Sequence, residues 1–321
     1  MALGIDEANT VSDKFYDKTI TQQVYEKSPL FYKLKQEKKV RWDGGTQIQF
    51  AIRYNTLDSA INVNPREQIE FGQKETRTGG VLDYKFTVAD AMISWDERVK
   101  NTGKPQIINL LREKTDELQQ DMFNKFQSDL YNTTQSSKAF SGLDEIVDAG
   151  DSYAGIAVAD ASEWAAIENT SATELYLYGD SNSLSHQINL ATFGPDKPDL
   201  IVTSRDLYNK AESLIQPQER FEDTMMADAG FTTVKFHGIP IVGDYALDAS
   251  TAGSGTYMYG LCCKYFEFRC HPDYDFKTTP WKELFQAGYI NAMAKAVSWA
   301  GNIVCKMRKV NFKYTALDYT N

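Results

Sequence analysis

An α+β fold is predicted from three observations. Two alternating strands flank a long polar connection, one helix far outruns its neighbours, and short apolar strands then alternate with short helices. Ile48, Phe50, Ile52 and Tyr54 alternate with Gln47, Gln49, Ala51 and Arg53, and Leu82, Tyr84, Phe86 and Val88 alternate with Asp83, Lys85 and Thr87. This is the period of a half-buried strand. The connection from Asn55 to Gly80 is rich in Asn, Gln, Glu, Thr and Gly. So long a connection in a compact domain is functional or disordered, and a lone hairpin is marginal in water. The pattern therefore predicts a hairpin that reaches out and is completed by another copy of the chain, which points to assembly rather than catalysis.

The helix comes next. Asn101-Thr102-Gly103-Lys104-Pro105 supplies cap residues and a proline for the first turn. Leu111, Leu118, Met122, Phe126 and Leu130 then recur on one stripe, widened by Ile108 and Phe123. From Pro105 to Tyr131 this gives a rod of about 40 Å at ~1.5 Å per residue, a spine. Upstream, residues 1–41 read as a polar arm carrying the pairs Phe15-Tyr16 and Phe31-Tyr32. Its sparse apolar positions (Val11, Phe15, Ile20, Val24) suit an arm packed on a neighbour or a frayed terminus, not a core face.

Downstream, Pro198 to Ser204 reads as a compact apolar strand and Arg205 to Ile215 as the helix behind it, with Ser204 as N-cap. Val234 to Val242 gives two short strands broken at Gly238, and Tyr257 to Cys270 a further β segment. Tyr289 to Trp299 is ambiguous between helix and strand, Ala300-Gly301-Asn302 reads as a turn, and Ile303 to Met307 as a strand. The basic run Lys306, Arg308, Lys309 and Lys313 reads as a solvated face.

Composition narrows the function. The 34 basic and 44 acidic side chains leave a net charge of −10, whereas gripping nucleic acid through its phosphates needs a basic surface. Such a chain can still enclose nucleic acid. No apolar run approaches the roughly 18 residues of a membrane helix, and the N-terminus lacks the pattern of a signal peptide. Cys262, Cys263, Cys270 and Cys305 lack CxxC spacing and read as small buried hydrophobes in a reducing compartment. His186, His237 and His271 lie in unrelated segments, Ala252-Gly253-Ser254-Gly255 has no following Lys-Ser/Thr, and Asp273 with Asp275 is too sparse for a calcium loop. No catalytic, cofactor or metal residue is assigned.

Four motifs in order resemble the major capsid protein of tailed bacteriophages, with the coat fold named after phage Hong Kong 97. They are Phe140-Ser141-Gly142-Leu143-Asp144 with Tyr153-Ala154-Gly155-Ile156 and Trp164, Pro198 to Ser204 with Leu207-Tyr208, Phe236 to Asp244, and Ala300 to Cys305. Ala154 stands where the family often has Gly, and Lys306-Met307-Arg308 replaces its usual Asn-Arg-Arg. The resemblance implies a Hong Kong 97-like α+β capsid fold with an N-terminal arm (1–41), an extended β-hairpin loop (42–98), a peripheral domain on the spine helix (99–139), a mixed α/β axial domain (140–282) and a return to the peripheral domain (283–321). It favours strand for Tyr289 to Val297.

It further implies a coat subunit, not an enzyme, that assembles with itself into pentamers and hexamers. The icosahedral head would enclose double-stranded DNA without sequence-specific binding, with no membrane and no cofactor. Assembly would occur in the host bacterial cytoplasm and the product would be the virion capsid. Portal and cement proteins are the other implied partners. Because only residues 1–41 precede the hairpin, a separate scaffolding protein is implied rather than a cleavable leading segment. The alternative is an encapsulin-like nanocompartment shell. Subunit-interface candidates are Phe15 and Phe31 on the arm and Arg53, Arg66, Glu67, Glu70, Lys74, Arg77, Asp83 and Lys85 on the hairpin. Some family members cross-link a loop lysine to a neighbour's asparagine; Lys74 and Asn302 are the conceivable pair here, against the plainer reading of a surface lysine.

Overall fold

The computed structural model describes residues 28–42, 44–53, 59–68, 72, 75–100, 104–134, 137–159, 161, 164–215, 233–248, 256–284 and 291–318. Helix α1 (Pro29–Gln36) and strand β1 (Val40–Trp42) come first, then β2 (Gln47–Arg53), β3 (Arg77–Asp83) and β4 (Lys85–Ser94). Helices α2 (Trp95–Lys100), α3 (Lys104–Tyr131) and α4 (Leu143–Ile146) follow. The middle of the chain supplies β5 (Ile167–Asn169), α5 (Leu184–Leu190), β6 (Leu200–Thr203), α6 (Arg205–Ile215), β7 (Thr233–Phe236), β8 (Ile239–Gly243), α7 (Tyr245–Asp248) and β9 (Met258–Leu261). Last are β10 (Phe266–Cys270), β11 (Lys277–Thr278), β12 (Lys282–Glu283), β13 (Ala292–Cys305) and β14 (Phe312–Tyr314).

The first sheet is organised by β13. One edge of β13 pairs antiparallel with β4 from Ala292↔Ser94 to Gly301↔Lys85, and the other with β10, β11 and β12 in succession. Strand β1 adds parallel to β10. The spine helix α3 packs Leu118, Met122, Phe126 and Leu130 into the main core, as the stripe predicts. Phe126 meets Trp299 edge-on at 4.6 Å between ring centroids and also touches Phe140 and Phe276. Burying aromatic rings in such mutual contact supplies much of this core's stability.

Ala300-Gly301-Asn302 is not a turn: β13 runs through it unbroken. Gly301 is there because the strands close up, and a Cβ on it would meet the Arg269 carbonyl and the Trp299 ring. Asn302 is buried, its Oδ1 accepting from Ser141 N and Ile303 N at 2.9 Å each and its Nδ2 donating to Asp83 O at 3.1 Å. Nor is Tyr257 to Cys270 one strand. A 3₁₀ turn at Cys263–Tyr265 sends β9 and β10 into different sheets.

The second sheet has the order β5-β14-β9-β6-β8-β7. A two-residue turn joins β7 to β8, with His237 at φ 52° and Gly238 at φ 77°, the left-handed pair that matches the strand twist. Helix α6 buries Leu207, Tyr208, Ala211 and Ile215 against this sheet. Strand β10 belongs to the first sheet and β14 to the second, so the chain crosses between sheets near 262–265 and again at 306–311. The divisions drawn at 282 and 283 therefore do not follow the sheets.

The second crossing overturns the reading of the basic run as solvated. Arg308 is 0% exposed and donates to the carbonyls of Ile146 (2.7 Å), Asp148 (2.8 Å), Asp151 (3.0 Å) and Glu145 (3.3 Å). Its guanidinium also lies over the rings of Tyr153 and Trp164. Backbone oxygens thus replace its water. Lys313 is equally buried, within 3.3 Å of Asp144, Asp148 and Glu168.

Candidate assembly surfaces

Strands β2 and β3 form an antiparallel hairpin in the register Gln47↔Asp83 to Arg53↔Arg77. Ile48, Phe50, Ile52 and Leu82 are buried in the main core. The hairpin is tied down where Val81 N donates to Ala154 O at 3.0 Å and Arg269 Nη1 donates to Gln49 O at 3.1 Å. Its strands thus rest on their own subunit and do not need another copy to bury their apolar face, a correction to the sequence expectation. What stays uncovered, among the described residues of the connection, is the stretch 59–68, including Ile61 and Val63.

The second strand also differs from its sequence reading, which put Leu82, Tyr84, Phe86 and Val88 on one buried face. The chain breaks at Tyr84 between two ladders, and the inward set changes there. On β4 Thr87 and Ile93 are buried, while Phe86, Val88 and Met92 are 67%, 62% and 58% exposed. Trp95 and Val99 of α2, the helix that follows β4 directly, are exposed as well. The residues paired with Val88, Asp90 and Met92 on β13 are the small Ser298, Ala296 and Ala294. The result is large side chains beside a shallow strip. At one end, Tyr84, Phe86, His271 and Tyr274 line a cleft of about 480 Å³ at the hairpin root.

The predicted interface residues separate accordingly. Phe31 is 1% exposed and packs against Phe268 at 5.0 Å, so it serves the subunit's own core and not an exposed contact. Its segment leaves the arm: α1 buries Leu30, Phe31 and Leu34, and Lys33 pairs with Asp199 at 2.9 Å. Arg66 and Glu67 are exposed on the connection, and Arg77 is exposed opposite Arg53 at the far end of the ladder. Asp83 accepts from Gln47 Nε2 at 2.9 Å, and Lys85 donates to Ser137 O at 2.7 Å, both at the root. Phe15, Glu70 and Lys74 lie outside the described residues, and Asn302 is committed internally. The exposed face of β4 was missed; the break at Tyr84 has no local turn signal to reveal it.

Other chemistry is sparse. All four cysteines are free and buried, and burial pushes the Cys262 and Cys305 thiols up to about 12. Among the described residues no cluster of three or more His, Cys, Asp or Glu could hold a metal. No helix among them is long and apolar enough to cross a membrane.

No protein-family model matches the sequence, and no curated protein matches it. Solved structures do match. The capsid asymmetric unit of cyanophage A-1(L) aligns over 87% of this chain and 90% of its own, at TM-score 0.59 and 14% identity. The capsid of a native GTA particle aligns over 89% and 90%, at TM-score 0.57 and 11% identity. The holo-SrpI encapsulin complex of Synechococcus elongatus aligns over 92% and 90%, at TM-score 0.55 and 8% identity. The chain has the Hong Kong 97-like fold of viral coat and encapsulin subunits.

Proposed function

We propose that this chain is a structural subunit that assembles with itself into a closed icosahedral shell. The observation that carries the reading is the apolar face of β4, uncovered in the subunit whose hairpin also exposes residues 59–68, on a fold shared with capsid subunits. Large apolar side chains exposed together on one strand face, here Phe86, Val88 and Met92 with only Asp90 among them, mark an interaction site. The enclosed material is double-stranded DNA of a tailed phage, and the net charge of −10 suits a container that does not grip its contents. Scaffolding, portal and cement proteins are the further partners this reading entails. The exposed residues Arg66, Glu67 and Arg77, together with Glu70 and Lys74, belong to its contacts between copies.

A second reading, a nanocompartment shell, is supported by the encapsulin match at comparable coverage. The test is to express the full chain with the genes that flank it and fractionate by sedimentation. The leading reading predicts large particles holding nuclease-protected DNA. Particles holding a protein cargo instead support the second reading, and a chain that remains monomeric overturns both.

A further inference from the structure

Tyr131 ends the spine helix and Asp244 follows β8 of the second sheet, so a contact between them joins the two halves of the molecule. Tyr131 Oη donates to Asp244 Oδ2 at 2.8 Å, and Ala246 N donates to Oδ1 at 3.0 Å. Asp244 N in turn donates to Thr203 O at 2.8 Å. Asp244 is buried, and among the described residues no lysine, arginine or histidine pairs with it. Every other deeply buried charge described above is neutralised by opposite charge or wrapped in carbonyls. Among the described residues this carboxylate has two hydrogen bonds and no cation.

The groups facing it are few. The spine contributes Tyr131, itself near Tyr259 of β9 and Ser28 ahead of α1. Helix α7 contributes Tyr245 and Asp248, and the negative charge of Asp248 opposes ionisation of Asp244. Arg205 at the start of α6 is committed to Asp248.

We propose that the Tyr131–Asp244 contact is a proton-responsive joint between the spine helix and the second sheet, and that the closed arrangement burying this carboxyl is favoured when the carboxyl is protonated. Burial drives the Asp244 pKa up from 3.8 to about 6, against the Ala246 and Tyr131 hydrogen bonds that lower it. Because the folded value is raised, the folded chain takes up a proton between about pH 6 and pH 4 that the unfolded chain does not. The folded arrangement that buries this carboxyl therefore gains stability as pH falls through that window and loses it as pH rises through about 6, although the Tyr131 hydrogen bond is itself stronger to the carboxylate. The carboxyl can still bond to Tyr131 when neutral, as donor or acceptor, so protonation removes buried charge without breaking the contact.

The inference does not depend on shell formation. Hydrogen exchange of the full chain, corrected for intrinsic rates, is compared at pH 4.5 and 7.5. Wild type is expected to gain roughly tenfold or more protection at residues 127–131 and at Ala246 in acid, each pKa unit being worth up to tenfold. Asp244→Asn is expected to be pH-independent there, and Tyr131→Phe to raise the midpoint further by removing a donor to the charged form. Equal pH dependence in wild type and Asp244→Asn overturns the joint. Should Asp244→Asn not fold, carboxyl NMR titration of wild type decides it: a midpoint near 6 supports the joint, and one below 4.5 overturns it.

Discussion

The hydrogen bond from Val81 N to Ala154 O, 3.0 Å long, fastens the hairpin to the subunit body through a residue in the left-handed region, Ala154 at φ 55°. Alanine pays roughly 1–2 kcal/mol for that conformation, and glycine would avoid it at a cost of about 0.5–1 kcal/mol in chain entropy. Ala154→Gly is expected to stabilise the subunit by about 0.5–1 kcal/mol, measured as a higher urea midpoint at unchanged slope. A lower midpoint would show that the alanine methyl contributes packing exceeding its strain.

The spine separates subunit stability from assembly. Phe126→Ala is expected to cost about 3–5 kcal/mol, since the ring is fully buried among aromatics. Glu117 is exposed and pairs with Lys114 at 2.8 Å, so Glu117→Gly should cost only ~1 kcal/mol in the monomer. Its particle yield should nevertheless fall, because any bend recurs in every subunit. Normal particles at normal yield from Glu117→Gly would reduce α3 to a core element.

Acid should act on Glu267 in the opposite sense to Asp244. Burial alone would raise its pKa, but bonds from Lys306 (2.6 Å) and Arg269 (2.9 Å) outweigh burial and hold it lowered. Its stabilisation is present above its unfolded value near 4.5 and is lost as pH falls through the depressed folded value. Thermal unfolding should therefore show a collapse below about pH 4.5. Glu267→Gln should flatten that acid limb and cost about 2 kcal/mol at neutral pH, softened because Arg41 and Lys306 reach solvent. An unchanged acid limb would remove Glu267 from the account.

How far the sequence was legible depended on whether the decisive partner was local. The α3 stripe of Leu118, Met122 and Phe126 announces its buried face through spacing alone, and the structure places those residues in the main core. Gly238 marks its hairpin because a left-handed turn needs such residues. Gly301 misled, since its cause is a carbonyl from Arg269 rather than a turn. Arg308 misled likewise: four carbonyls 157 to 163 positions away solvate it, and nothing beside it in sequence hints at them. Phe86 and Val88 follow a correct strand period, but Tyr84 separates them from the ladder whose face they were assigned to. Period fixes alternation, not which side meets the core.

Electron microscopy of wild type beside Phe86→Asp, co-expressed with the same flanking genes and with the melting of each subunit measured in parallel, decides whether the exposed face of β4 is an assembly contact. Phe86 is mostly solvent-exposed in the subunit, though it lines the cleft at the hairpin root and pairs with Ala300, so its replacement by Asp should cost the monomer about 1 kcal/mol and leave it folded. Closed particles are expected from wild type and a folded, unassembled subunit from Phe86→Asp. Normal particles from Phe86→Asp would contradict that role for β4.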